Sequence, residues 1–296
     1  MKKKSNPEKK PKPPKAKSGG KGKKPRRLPG WKTLPWWRRV LRLLWTVPLA
    51  LWLLSLLTVV AYRWVNPPLT PLMVQRFNQQ LFQKNRPVNY EHTNVPIDSV
   101  SHYMVDCVVA SEDGLFMYHK GFDVKQLKQS YRENQRGRRV RGGSTISMQT
   151  AKNVFLPHKR RMWRKALEAY YTQLIEWFWG KKRIMEVYLN VVEFGDGIYG
   201  VEAAAQHYYG CHASRLTRHQ AAELAVTLPG PLLRNPAHPS AHFRKRTATI
   251  EARSRQYGRI NLDARKEDLN PKYRQQENII DFLKWYRKQK KRAGSG

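Results

Sequence analysis

Apolar side chains run without a charged interruption from Leu43 to Tyr62, whereas polar ones dominate before them. At about 1.5 Å per residue, a helix of this length covers roughly 30 Å, the hydrocarbon thickness of a bilayer, so residues 43–62 are predicted to form a transmembrane helix. Pro48 then falls near its first turns, where a missing amide donor costs least. Trp45, Trp52, Tyr62 and Trp64 supply rings suited to the membrane interfaces. A cleaved signal peptide would have a shorter apolar core followed by a small-x-small cleavage site, so the segment is read as an uncleaved anchor.

Downstream the pattern is helical. Leu72, Met73, Phe77, Leu81 and Phe82 recur at mostly three- to four-residue spacing, which predicts a helix within 69–85 with one apolar face, turned either to a core or to lipid. Val105–Glu112 reads as a buried helix ending near Gly114, with Glu112 and Asp113 left at the edge of a cleft. Residues 134–143 break the pattern with a basic, Gly-containing loop. Ser144 is then a candidate cap for a helix that carries Gln149 and Lys152 on one face, followed by Asn153. Further helices are expected near 162–179, 181–192 and 198–209, the last closing at Gly210. The class is mainly α.

Charge sets the expected topology. The chain carries a formal net charge of +36, and residues 1–42 hold seventeen Lys or Arg against the single acid Glu8. Positive flanks stay in the cytoplasm, so the C-terminal bulk is expected outside it. The Pro- and Gly-rich tail lacks apolar periodicity and is predicted to be disordered, its Lys clusters suited to anionic membrane lipids. A basic tail does not by itself separate lipid from nucleic acid; the reading taken is membrane lipid and no nucleic acid. Only Cys107 and Cys211 occur, which excludes a disulfide framework or a cysteine zinc site, and Cys107 is expected to pack as a small buried side chain. The expected organisation is a basic tail over 1–42, the anchor over 43–62, a catalytic domain over 63–240 and a basic helical extension over 241–296.

Three blocks carry the candidate chemistry. Glu112-Asp113-x-x-Phe116-x-x-His119-x-Gly121 offers a carboxylate base. Gly142-Gly143-Ser144-Thr145-Ile146-x-x-Gln149-x-x-Lys152-Asn153 offers hydroxyls, an amide and an ammonium for sugar or phosphate oxygens. Arg164-Lys165-x-x-Glu168 adds two cations and a second acid, so two carboxylates stand in a field of positive charge. That inventory suits glycosyl transfer from a diphosphate: a carboxylate takes the proton of the attacking hydroxyl, and fixed cations stabilise the departing charge.

Together with Lys182-Arg183-Ile184-Met185-Glu186-Val187-Tyr188-Leu189-Asn190, the run Gly197–Gly210 and Leu228-Pro229-Gly230-Pro231, these blocks resemble, in order and spacing, the peptidoglycan glycosyltransferases that polymerise lipid II. The resemblance runs from near residue 67 to near 236, and with no room for a transpeptidase domain it points to the monofunctional biosynthetic form. It implies a lysozyme-like helical large lobe and a small membrane-proximal jaw lobe after one transmembrane helix. It also implies a single-pass protein of the bacterial inner membrane, with the catalytic domain periplasmic. Glu112 is implied as the base and Glu168 as the acid that assists departure of the diphosphate. Asp113, Phe116, His119, Ser144, Thr145, Gln149, Lys152, Asn153, Arg160, Arg164 and Lys165 are implied as substrate-binding, with Asp113 and His119 in supporting roles. No cofactor is obligatory, although a divalent cation, Mg or Mn, is compatible with the diphosphate. Implied partners are lipid II, the growing glycan chain, membrane lipids and proteins of wall synthesis or division.

Met148 departs from the family pattern, which usually has Gln there, and the polar neighbours Ser144, Gln149 and Lys152 suggest that an amide at 148 would be tolerated in wet surroundings. Gln220 replaces a usual acid at a position read as structural. An ion pair between Arg164 and Glu168 on the helix surface is the alternative role for that glutamate. A lytic enzyme cleaving neutral glycosides would have no use for the cations of the third block, and a non-catalytic scaffold would have no use for both glutamates.

Overall fold

The computed structural model of the chain describes residues 35–82, 88–136, 142–157, 162–265, 267–273, 275 and 277–293. Most of the basic tail, much of the 134–143 loop and Arg160 lie outside them. Two compact units divide the chain, residues 1–51 and residues 52–296.

Helix α1, Trp36–Ala61, begins in the first unit and ends in the second. It starts earlier than predicted, because Trp36, Trp37, Val40 and Leu41 prolong the apolar surface. Pro48 therefore lies in the helix interior, a correction to its expected place in the first turns. There its ring removes one backbone hydrogen bond, a loss tolerated in apolar helices whose neighbours re-satisfy the freed groups. The helix is long and apolar enough to cross a membrane.

The second unit anchors the end of this helix. Val59 is fully buried and its carbonyl accepts a 2.7 Å hydrogen bond from the Trp179 indole. Arg183 donates to the carbonyls of Tyr62 and Val65 at 2.8 Å.

Helix α2, Pro71–Phe82, follows, then the short strand β1, Glu91–His92. Leu72 and Met73 pack on Tyr199, whereas Val74, Phe77, Leu81 and Phe82 are exposed. The apolar positions thus divide between a small core and the surface. Strands β2, Glu193–Gly195, and β3, Ile198–Tyr199, complete a sheet in the order β1-β3-β2, with β1 parallel and β2 antiparallel to β3. Arg76 bridges from α2 to Glu193 at 3.2 Å. Residues 198–199 are therefore strand where helix was expected, and helix α8 spans only Val201–Tyr209. Gly200 makes the join: its φ is +83°, and a Cβ there would lie 2.7 Å from the Asn190 carbonyl oxygen, so only glycine fits.

The rest is helical. Helix α3, His102–Glu112, has every residue from Met104 to Ala110 buried, which makes it a central helix without an amphipathic stripe. Helices α4, Val124–Gln135, α5, Ile146–Phe155, α6, Met162–Phe178, and α7, Gly180–Val191, follow. Then come α9, Arg218–Thr227, α10, Ala241–Tyr257, and α11, Ile279–Ala293. The main core joins α3, α5, α7, α8 and α9. Residues from 241 onward do not form one extension: Phe243 and Ile250 of α10 belong to that core, packed on α3 and α9.

Two local expectations hold. Gln220 is structural, closing a capping box with Thr217 at the start of α9. Cys107 is a free, fully buried thiol, and burial pushes its pKa to about 11, so it stays protonated and inert.

Candidate active site

Glu112 is the last residue of α3, and the next residue leaves the helix with φ −157° and ψ 75°. Asp113 turns inward instead of toward the cleft. It is 3 % exposed; its carboxylate meets His119 Nε2 at 2.9 Å and accepts from the Ile146 amide at 3.0 Å. A carboxylate at the first helical amide of α5 is also stabilised by the helix dipole. Thr145, not Ser144, caps that helix: its hydroxyl accepts from the Met148 amide and donates to the Gly121 carbonyl at 2.6 Å. The Asp113–Ile146 and Thr145–Gly121 hydrogen bonds stitch the first two motifs together next to Glu112 in the chain.

Among the described residues, Asp113, Phe116, His119, Thr145 and Asn153 are all buried, and none lines the cavity beside Glu112. They frame the site. The cavity holds about 470 Å³; its walls include Ser144 and Gln149, four residues of α4, and Arg246 and Arg253 of α10. Neither arginine nor α4 was picked out in the sequence, because α4 is polar and α10 follows the last motif.

The base candidate is oriented by a relay. Tyr188 is fully buried, which raises its pKa well above 10 and keeps the phenol protonated. It donates to Gln149 Oε1 at 3.3 Å, which turns the amide nitrogen toward Glu112; that nitrogen donates to Glu112 Oε2 at 2.8 Å. Burial raises the Glu112 pKa most strongly, while hydrogen bonds from Gln149 and Ser111 and the charge of Arg246 pull it down. The net shift is upward. Desolvation thus outweighs the hydrogen bonds and the nearby cation, and Glu112 is more basic than an ordinary glutamate.

Cations gather at the start of α6. Lys165 Nζ lies 2.6 Å from Glu168 Oε1, with Glu168 buried and Lys165 half exposed. In place of the alternative Arg164–Glu168 pair, Glu168 pairs with Lys165, three residues away. Arg164 Nε is buried without a hydrogen-bond partner among the described residues, and such a donor is costly unless something binds it. Burial is the main cause lowering the Lys152 pKa, with Arg164 and Lys165 adding to it and Glu168 and Glu112 opposing. Lys152 therefore feels both carboxylates at once.

Met148 is only 3 % exposed. The wet surroundings expected for an amide at 148 are absent, since α5 turns this position inward while Gln149 faces the cavity. Among the described residues no three His, Cys, Asp or Glu side chains converge as a metal cage.

A match to the family described as Transglycosylase covers residues 78–255. The biosynthetic peptidoglycan transglycosylase of Caulobacter vibrioides is 48 % identical over 217 residues, 72 % of this chain and 92 % of the relative. Its counterpart in Xanthomonas campestris pv. campestris strain B100 is 44 % identical over 221 residues, covering 75 % of this chain and 90 % of that one. The Aeromonas hydrophila protein of the same name is 41 % identical over 226 residues, 76 % of this chain and 95 % of its own. With the matched region running from α2 through the last core helix, enclosing Glu112 and the cation cluster, this chain belongs to the transglycosylase family.

Proposed function

We propose that this protein is a peptidoglycan glycosyltransferase that polymerises lipid II into β-1,4 glycan strands with release of undecaprenyl diphosphate. The observation that carries the reading is the pairing of a desolvated carboxylate, Glu112, with a separate cluster of Lys152, Arg164, Lys165 and Glu168. Glu112 takes the proton of the acceptor hydroxyl as its oxygen attacks the anomeric carbon of the donor. General base catalysis of this kind contributes roughly 10²- to 10⁴-fold. The bond from that carbon to the diphosphate oxygen breaks, and its electron pair leaves with the diphosphate. Attack from the opposite face inverts the α-linked centre to β.

Arg164 suits the departing charge because its buried Nε has no hydrogen-bond partner among the described residues; a guanidinium clamps phosphate oxygens in a planar fork. Lys152 and Lys165 add point charges, and Glu168 positions Lys165 through their 2.6 Å contact. Ser144 and Gln149 face the cavity and are assigned to sugar contacts. No cofactor is required by this scheme. Glu168 would be the acid offered to a Mg or Mn ion bound with the diphosphate, which would add to the positive charge that Lys165 already supplies beside it.

Membrane attachment is through α1, with the N-terminal tail cytoplasmic by its positive charge and the catalytic unit outside the inner membrane. The exposed Val74, Phe77, Leu81 and Phe82 of α2 supply a second lipid contact. Proteins of wall synthesis or division are the expected partners. Incubating the detergent-solubilised chain with labelled lipid II tests the activity. Polymer that lysozyme digests is the expected product, and release of a sugar fragment from preformed glycan would support a lytic enzyme instead.

A further inference from the structure

Helix α4 forms one wall of the cavity beside Glu112 through Gln126, Gln129, Ser130 and Glu133. Yet it is poorly attached to the core, for only Val124 and Ser130 of its twelve residues are buried. Its principal packing partner among the described elements is α11, which lies beyond the family match ending at residue 255. The contacts are specific. Tyr131 of α4 meets the rings of Trp285 and Tyr286 edge-on, with centroids 5.4 and 5.2 Å apart. Lys128 pairs with Glu277 at 2.6 Å. Gln275 accepts from the Val124 amide at 3.1 Å and donates to the Phe122 carbonyl at 2.8 Å, which ties down the first turn of α4.

We propose that the C-terminal segment around Gln275 and Trp285 is a positioning strap for the glycosyl transfer: it grips the outer face of α4 so that the inner face stays fixed as a wall of the substrate cleft beside Glu112. Trp285 and Gln275 touch no reacting atom and act through α4. The inference rests on the lipid II reading above. A helix that buries two residues has little packing of its own to resist displacement, and misplacement by about 1 Å of a wall that positions substrate costs up to roughly a hundredfold in rate. The effect belongs in substrate capture, because the hydrogen bonds of the relay that orients Glu112 run from Tyr188 of α7 through Gln149 of α5 to Glu112 of α3 and not through α4 or α11.

The test compares the full chain with Trp285→Ala, Trp285→Phe and Gln275→Leu, each purified in detergent and assayed with lipid II. Polymerisation by the unaltered chain establishes the reference; if that chain makes no polymer, the functional reading fails before the strap is reached. With the reference active, Trp285→Ala should raise KM roughly tenfold with a smaller change in kcat and an unshifted acid limb of the pH profile. Trp285→Phe should restore most of KM, since an aromatic ring is kept against Tyr131. Gln275→Leu, which leaves the ring contacts intact, should move KM in the same direction by less. An unchanged KM in both Trp285→Ala and Gln275→Leu overturns the proposal, as does a fall in melting temperature and kcat at constant KM.

Discussion

Replacing Gln149 by leucine removes the 2.8 Å hydrogen bond that its amide donates to Glu112 and leaves the surrounding burial in place. Burial already raises the Glu112 pKa above the ordinary 4.5, and this hydrogen bond is the first of the contacts that oppose the rise. A hydrogen bond to a charged group is worth about 1.5–3 kcal/mol, and one pKa unit is about 1.4 kcal/mol, so its loss raises the pKa by about one unit or more. The base works only when ionised. Activity is therefore lost as pH falls through this pKa, and the acid limb of kcat/KM should move to higher pH by about one unit in Gln149→Leu. The plateau should also drop, because Gln149 lines the cavity proposed to hold the sugar; the position of the limb is the informative quantity. A limb within about 0.3 units of the unaltered chain would show that Glu112 is not the titrating base or that Gln149 does not tune it. Stability carries the opposite sign. A folded-state pKa above the unfolded one means that the contribution of Glu112 is full below its unfolded pKa and is lost as pH rises through the folded value.

Three further outcomes follow from the packing. Met148→Gln places an amide at a position 3 % exposed and should cost about 1–3 kcal/mol, read as a melting temperature lower by roughly 2–10 °C without tighter lipid II binding; unchanged melting with tighter binding would restore the wet-cleft reading. Glu168→Gln frees Lys165 from its 2.6 Å contact and should lower kcat/KM at least roughly tenfold, whereas a silent substitution would reduce that contact to a surface ion pair. Deleting residues 1–62 removes buried Val59 and strands the Trp179 indole, a loss of about 3 kcal/mol or more that calorimetry should detect; deletion of 1–51 should spare it. Equal melting of the two deletions would contradict the docking of Val59.

The parts of the fold legible in the sequence were those with a strong local signal. The apolar run of α1, the buried run of α3 and the helices carrying the second and third motifs needed only periodicity. What escaped was set by contacts distant in sequence. Pro48 looked like a first-turn residue until the helix gained Trp36 and Trp37. Ser144 and Thr145 are both capable caps, and the choice fell to Thr145 because the Gly121 carbonyl waits for its hydroxyl. Asp113 beside Glu112 looked like a second cleft carboxylate, but α3 ends between them, and the chain reversal buries one while leaving the other at the cavity. Burial, which sequence does not reveal, raises the basicity of Glu112 despite the charge beside it. The walls from α4 and α10 carried no motif and were invisible for that reason.

Turnover of lipid II by Glu112→Gln tests the central claim most directly. The amide keeps the side-chain shape and accepts no proton, so polymerisation should fall by at least roughly a hundredfold. Melting at neutral pH should not fall, because the substitution removes a carboxylate whose ionisation burial disfavours. A Glu112→Gln protein that melts normally and polymerises lipid II at a rate within about threefold of the unaltered chain would contradict the assignment of Glu112 as the base.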